Sequence, residues 1–304
     1  MDSYGLCPVD LDRKLRDWDA ARGPKPFVLY TIPSGHNPTS ITQTLERRKA
    51  IYHVAAQHGL YIIEDDPYYF FQLDNCGSME PVGTTHMLAT DYLSGLLPSY
   101  LSLDVSGRVL RMDTTSKILA PGLRCGWVTG CSQVIEKFLA QIDVSISPPS
   151  GPSQVMLYRL LDQTWGHRGF IDCLNYLSSQ YRRRRDVLVK ACNSHLPARV
   201  CRWTVPNVGM FLWIRLDLTG HPETQFGQSP SELQTLRLGI EERIYLKARN
   251  NGVIVNRGSW FQPGGGQLYE VCFRMTFVSA SENDLERGVE IFGLALRTEF
   301  PQIE

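Results

Sequence analysis

FVLYTIPSGHNPTSITQTLERRKAIYHVAAQHGLYIIE, residues 27–64, reads as strand, turn, helix, strand. FVLY and LYIIE are apolar runs rather than alternating ones, and TIPSGHNPTS is dense in turn formers. QTLERRKAIYHVAAQHG between them carries Leu45, Ile51, Val54 and Ala55 on one stripe. Two strands joined through a helix make a βαβ unit. Strands that are apolar on both faces belong in a parallel sheet covered on both sides, so this part of the chain is expected to be an α/β layer structure. Gly59 stands where a helix end calls for a residue with positive φ.

Further strands are expected at 108–112 and 126–129, separated by TTSKILAPGLRC, residues 114–125. Residues 75–104, rich in Gly, Ser, Thr and Pro with weak periodicity, read as an irregular surface excursion. The composition shifts around Pro148–Pro152, and a long helical stretch follows. It includes YRRRRDVLVKA (181–191), whose four arginines read as a solvated helix face. Strands at 210–215, 252–256 and 271–277 and a closing helix at 281–298 then make a smaller α+β domain. The expected division is 1–150 for a large α/β domain and 151–304 for the linking helix and the small domain.

The chain has 304 residues, 43% of them hydrophobic, which is enough for a sizeable core. Lys plus Arg and Asp plus Glu both total 31, a balance that favours neither nucleic acid nor an anionic membrane and leaves a small-molecule ligand as the expected partner. The eight cysteines show no C-x-x-C spacing and no nearby His pair that would complete a metal site, so a reduced, cytoplasmic protein without a metal is expected. No stretch approaches the roughly 18 apolar residues of a membrane-crossing helix.

Two segments carry groups suited to chemistry. EDDPYY, residues 64–69, lies at the carboxyl end of an expected buried strand, where open α/β sheets place ligands. In the other, Lys117 follows Thr114, Thr115 and Ser116 and precedes Arg124 by seven residues, which sets a primary amine beside hydroxyls and a guanidinium, an anion cup.

TIPSGHNPT, IIEDDPYYF, TTSKILAPGLRCGW and CFRMTF occur in the order and approximate spacing of the class I/II aminotransferases, pyridoxal 5'-phosphate enzymes of fold-type I. With GMFLW (209–213) and GSWF (258–261), the chain most resembles the aromatic and 2-aminoadipate (kynurenine-type) aminotransferases, from about Pro8 to its end. The resemblance implies that Lys117 binds the cofactor and shuttles the proton at the substrate Cα. It implies that Asp65 faces the pyridine nitrogen; Asp66 is the alternative, and Asp65 is preferred because Tyr68 follows it at the family's spacing. Tyr68 and Asn37 are implied to hold the ring oxygen, and Thr114, Ser116 and Arg124 the phosphate. Arg274 is implied to grip the substrate carboxylate in bidentate fashion, while Tyr30, Phe211 and Trp260 are weaker candidates for lining the substrate pocket.

The resemblance also implies a departure. Relatives carry, ahead of the part that begins here, an N-terminal arm, a glycine- and serine-rich turn that holds the phosphate, and an aromatic residue that stacks on the ring. The sheet domain is therefore expected to be incomplete and its grip on the cofactor weakened. The implied activity is transfer of the amino group of an aromatic or related L-amino acid to a 2-oxo acid such as 2-oxoglutarate, in a homodimer. A β-eliminating C–S lyase and a non-catalytic shortened paralogue are the competing readings.

Overall fold

A computed structural model describes residues 2–73, 89–224, 227–262 and 269–301. The chain divides into two compact units: residues 1–36, 41–179 and 207–209 form the first, and residues 37–40, 180–206 and 210–304 form the second.

In the first unit four strands stand in the order β1 (Val28–Thr31), β2 (Tyr61–Asp65), β3 (Val109–Thr114) and β4 (Gly126–Thr129). The first three run parallel and β4 pairs antiparallel with β3, so the sheet is mostly parallel, as the apolar runs required. Helix α1 (Pro8–Arg16) and helix α2 (Leu45–Gln57) cover it. Thr44 caps α2 by accepting from the Arg47 N–H, and Gly59 just beyond the helix has φ 68°, the left-handed conformation its position called for. Leu15, Ile51, Val54, Ala55, Leu60, Ile62, Tyr100 and Val109 form the core of this layer. Each fully buried aliphatic side chain there contributes about 1.5–3 kcal/mol.

Two expectations for this unit are corrected. The segment read as a surface excursion contains helices α3 (Ala89–Ser94) and α4 (Tyr100–Leu103), and it is not all surface: Tyr92 and Tyr100 are buried. Residues 74–88 of that segment lie outside the described residues. The buried stripe of α2 also holds a residue that periodicity had not flagged. Arg48 is fully buried, with Nε donating to Gln43 O, Nη1 to Pro98 O and Nη2 to Ser34 Oγ. Its charge is tolerated because its donors are met by carbonyls and a hydroxyl from three segments.

Helices α5 (Thr115–Ile118), α6 (Ser132–Ser145) and α7 (Gly151–Tyr158) follow in the first unit, and helix α8 (Gly166–His195) runs on into residues of the second. The second unit holds an antiparallel sheet in the order β5 (Cys201–Arg202), β6 (Phe211–Leu216), β8 (Val271–Thr276) and β7 (Asn256–Arg257). Helices α9 (Pro230–Asn250) and α10 (Glu282–Glu299) pack with it, and Phe273 meets Phe292 edge-on at 5.2 Å. The strand expected at 252–256 is reduced to Asn256–Arg257. Its first residues instead close α9: Gly252, at φ 90°, donates to Arg249 O and Val253 donates to Ala248 O.

The arginine run is only in part a solvated face: Arg183 is exposed, whereas Arg185 is buried. Arg184 donates to Val278 O and Ala280 O, Arg183 pairs with Glu282 at 2.7 Å, and buried Arg185 donates to Pro206 O. No described helix is long and apolar enough to cross a membrane.

Candidate functional site

Parallel pairing decides where the chemistry of the first unit gathers. Thr31 is in register with Glu64, and Asp65 with Met112, so β1, β2 and β3 end along one edge of the sheet. The segments that leave this edge are those expected to act: 32–36, 66–69 and 115–117.

Alternation along β2 separates its three acids. Glu64 and Asp66 point inward and are buried, while Asp65 on the opposite face is only partly covered. Tyr30 lies on the same side two residues back along the neighbouring strand, and its hydroxyl donates to Asp65 Oδ2. Burial, the hydrogen bond and charge of Asp65 and the nearby Tyr68 all raise the pKa of the Tyr30 phenol, so Tyr30 stays protonated. Tyr68 itself is buried three residues after Asp65.

Beneath Asp65 lies a charged network that the sequence reading did not anticipate. Glu64 caps α4, accepting from the Tyr100 N–H at 2.8 Å and the Leu101 N–H at 3.1 Å. Arg111, beside Glu64 in register, is bidentate on Asp113 at 2.8 and 2.9 Å and lies over the Tyr69 ring at 4.3 Å. Asp66 accepts from Ser34 Oγ at 3.0 Å and stands 3.8 Å from Arg111, yet its Oδ1 is buried without a hydrogen-bond partner among the described residues. Burial pushes the Asp66 carboxyl up to about 7, with Glu64 adding to the rise and Arg48, Arg111 and Ser34 opposing it. The only sequence signal for this network was three consecutive acids in a buried strand with an arginine in the next one.

The lysine-bearing loop is built by its hydroxyls. Thr114 caps the short helix α5 by accepting from the Ser116 N–H at 3.1 Å, and its hydroxyl donates to Ser116 Oγ at 2.9 Å. Thr115 turns the other way and ties the loop to Cys125, its N–H and its hydroxyl both donating to that carbonyl. Lys117 is exposed, and its amine makes no hydrogen bond or ion pair with any described residue. Arg124 sits in the left-handed region at φ 50°, with Nη1 donating to Pro121 O.

The second unit holds the other candidates. The Arg274 guanidinium lies over Phe211 at 4.2 Å and Phe261 at 4.8 Å. Its Nη1 donates to Asn37 Oδ1, and its Nη2 donates to Asn256 Oδ1 at 3.1 Å. Asn37 and Phe211 therefore meet Arg274 directly. Trp260 packs edge-on against Tyr245 at 5.3 Å, and its neighbour Phe261 is the aromatic that reaches Arg274. Neither Phe261 nor Asn256 was singled out beforehand. Register offered a signal for the second, because Asn256 and Trp213 are the cross-strand partners of Arg274. The turn that carries Phe261 is fixed by buried Glu241, which accepts from the Ser259 N–H at 3.0 Å and from Arg257 Nε at 3.0 Å.

The first unit thus carries, at the end of a parallel strand, an amine with no hydrogen bond or ion pair to any described residue, and the second unit carries an aromatic-flanked guanidinium. The chain belongs to the class I and II aminotransferases, whose family model matches residues 2–292, and it shares their fold-type I architecture. It is 51% identical over 301 residues to aminotransferase swnA of Arthroderma benhamiae, covering 99% of this chain and 60% of that protein. It is 42% identical over 344 residues to L-tyrosine:2-oxoglutarate aminotransferase atrD of Tapinella panuoides, covering 99% of this chain and 64% of that one. Among solved structures, aminotransferase Aro8 from Candida albicans superposes with a TM-score of 0.87 at 36% identity, over 99% of this chain and 62% of that one. The chain thus spans about three fifths of the length of these relatives.

Proposed function

We propose that the protein transfers the amino group of an aromatic or related L-amino acid to a 2-oxo acid, with 2-oxoglutarate as the acceptor, using pyridoxal 5'-phosphate. The reading rests above all on Lys117, a primary amine that makes no hydrogen bond or ion pair with any described residue, at the carboxyl end of β3 in a chain of this family. The donor set fits the cofactor: one free amine, the hydroxyls of Thr114 and Ser116, the Arg124 guanidinium, and the Asp65 carboxylate at the end of the adjacent strand. When bound, the cofactor supplies a conjugated ring that withdraws electron density from the substrate Cα.

The chain's own residues divide the remaining work. Lys117 Nζ would hold the cofactor, and, once released, would take the proton from the substrate Cα and deliver it to the cofactor's C4′, two tasks that suit one flexible amine. Asp65, which accepts from the Tyr30 hydroxyl, would face the ring nitrogen and hold a proton there. Tyr68 and Asn37 hold the ring oxygen. Thr114, Ser116 and Arg124 hold the phosphate, Arg124 through a forked, permanent charge. Arg274 receives the substrate carboxylate, and its aromatic neighbours Phe211 and Phe261 flank an apolar substrate side chain. We assign both sets of residues to one reaction on the order of the family's motifs, with 1–150 as the cofactor-binding portion and 151–304 as the linking helix and small domain. The working protein is proposed to be a cytoplasmic homodimer that engages neither nucleic acid nor membrane.

The test is absorbance of the purified protein with added pyridoxal 5'-phosphate, followed by L-tyrosine or L-phenylalanine and then 2-oxoglutarate. A band that shifts with the amino acid, is restored by the oxo acid and is absent in Lys117→Ala is the expected result. A protein that holds the cofactor yet yields no glutamate from any aromatic donor overturns the reading, and release of pyruvate and ammonia from a cysteine conjugate would replace it with β-elimination.

A further inference from the structure

Glu241 is fully buried in the second half of α9, and amino transfer as proposed gives its carboxylate no task. Both of its oxygens hold one short segment. Oε1 accepts from the Ser259 N–H at 3.0 Å, and Oε2 accepts from Arg257 Nε at 3.0 Å and from the Ser259 hydroxyl. Arg257, whose side chain is mostly covered, also supplies the opposite charge that a buried carboxylate needs.

The segment so held reaches Arg274 twice. Asn256 Oδ1 accepts from Arg274 Nη2 at 3.1 Å, and the Phe261 ring centre lies 4.8 Å from the guanidinium. Arg257 and Ser259, the residues that Glu241 grips, stand between those two contacts in the chain. Gly258 leaves the segment no room to move inwards: a Cβ there would lie 2.8 Å from Cys272 Cβ on β8 and 3.2 Å from the Trp213 ring on β6. Trp213 is a cross-strand partner of Arg274 and meets Phe261 edge-on at 6.2 Å. A single carboxylate on a helix thus ties down both contacts that this segment makes with the guanidinium.

We infer that Glu241 is a positioning residue for carboxylate recognition: by holding Arg257 and Ser259 it sets Asn256 and Phe261 against Arg274, and so fixes the plane of the guanidinium fork before an amino acid arrives. The inference rests on the role proposed above for Arg274. A guanidinium whose plane is already set loses little freedom when a carboxylate docks, whereas one that can swing loses it at that moment. Glutamine at position 241 keeps the shape but offers a single acceptor oxygen, and its amide turns a donor towards the donors of Arg257 or Ser259. Because Glu241 acts through the guanidinium, its loss weakens binding rather than the chemical step.

Calorimetric titration with 3-phenylpropionate, a carboxylate that lacks the amino group, reads the grip of Arg274 without catalysis, and steady-state kinetics with L-phenylalanine read KM and kcat. Glu241→Gln is expected to raise Kd and KM about tenfold with kcat within about twofold of the parent, and Ser259→Ala to raise both about fivefold. In an Arg274→Lys background Glu241→Gln should add less than about twofold, because both substitutions act through one guanidinium. Unchanged Kd and KM in Glu241→Gln, a fall in kcat with KM untouched, or an effect of undiminished size in the Arg274→Lys background would each overturn the inference. If Glu241→Gln does not fold, Ser259→Ala decides by the same criteria. Should the parent bind 3-phenylpropionate no better than Arg274→Lys does, the carboxylate role of Arg274 itself fails, and the inference falls with it.

Discussion

Lys117 and Arg274 are the cations on which the proposed chemistry depends, and their surroundings could hardly differ more. The Lys117 amine belongs to a four-residue helix and makes no hydrogen bond or ion pair with any described residue. Arg274 is flanked by two aromatic rings and held by two side-chain amides. The difference follows from the tasks. An amine that must hold one group and then carry a proton needs rotational freedom, and packing around it would remove that freedom. A guanidinium that must present a fork to a carboxylate gains from being fixed beforehand, since its ordering then costs nothing at the moment of binding. Even the backbones differ, with Lys117 in a short loop helix and Arg274 in a strand paired on both sides.

If that contrast is correct, the two sites respond to substitution in different ways. The largest effect is expected for Lys117→Ala: amino transfer should fall by several powers of ten, on the order of 10⁴-fold or more, while Tm stays near that of the parent because the side chain is exposed. A large loss of Tm in that variant would break the contrast. Next comes Arg274→Lys, which keeps the charge and loses the fork. KM for the amino acid should rise by about ten- to a hundredfold with a smaller change in kcat, in line with one lost charge-assisted hydrogen bond. Steady-state kinetics with L-phenylalanine check it, and an unchanged KM would remove Arg274 from carboxylate binding.

A third prediction concerns the buried network under Asp65. The folded-state pKa of Asp66 is raised to about 7 from an ordinary 3.8, so the native protein binds a proton that the unfolded chain has already released. The stability contributed by that proton is fully present below about pH 4 and declines as pH rises towards 7, by a few kcal/mol at most. Asp66→Asn keeps the shape and cannot ionise. Denaturant unfolding across pH 4–8 should show the variant losing less stability than the parent over that window, and parallel profiles would mean that Asp66 ionises normally. The smallest effect is expected for Asn256→Ala, which removes one hydrogen bond to Arg274. KM for the amino acid should rise about fivefold, corresponding to roughly 1 kcal/mol.

How much of this was legible in the sequence can be judged residue by residue. The βαβ unit, two strands of the small unit and the closing helix were readable because their signals are local: apolar runs, a stripe, and Gly59 at a helix end. The lysine loop was readable because hydroxyls, amine and guanidinium lie within eleven residues of one another. Arg48 and the Arg111–Glu64 pair were not. A charged residue enters a core only when distant segments bring partners to it, and Pro98, Ser34 and Asp113 approach their arginines through tertiary structure. The same reason explains why four arginines in a row looked solvated, although Arg184 and Arg185 find carbonyls at positions 278, 280 and 206. Residues 252–256 looked like a strand by composition, and the need to close a 21-residue helix claimed the first of them.

The most direct test of the account is the site at which the cofactor attaches. The protein incubated with pyridoxal 5'-phosphate, reduced with borohydride and digested should yield a single modified peptide, the one that contains Lys117. A label on any other lysine, or none on Lys117 at saturating cofactor, would contradict the assignment of this free amine as the centre of the chemistry.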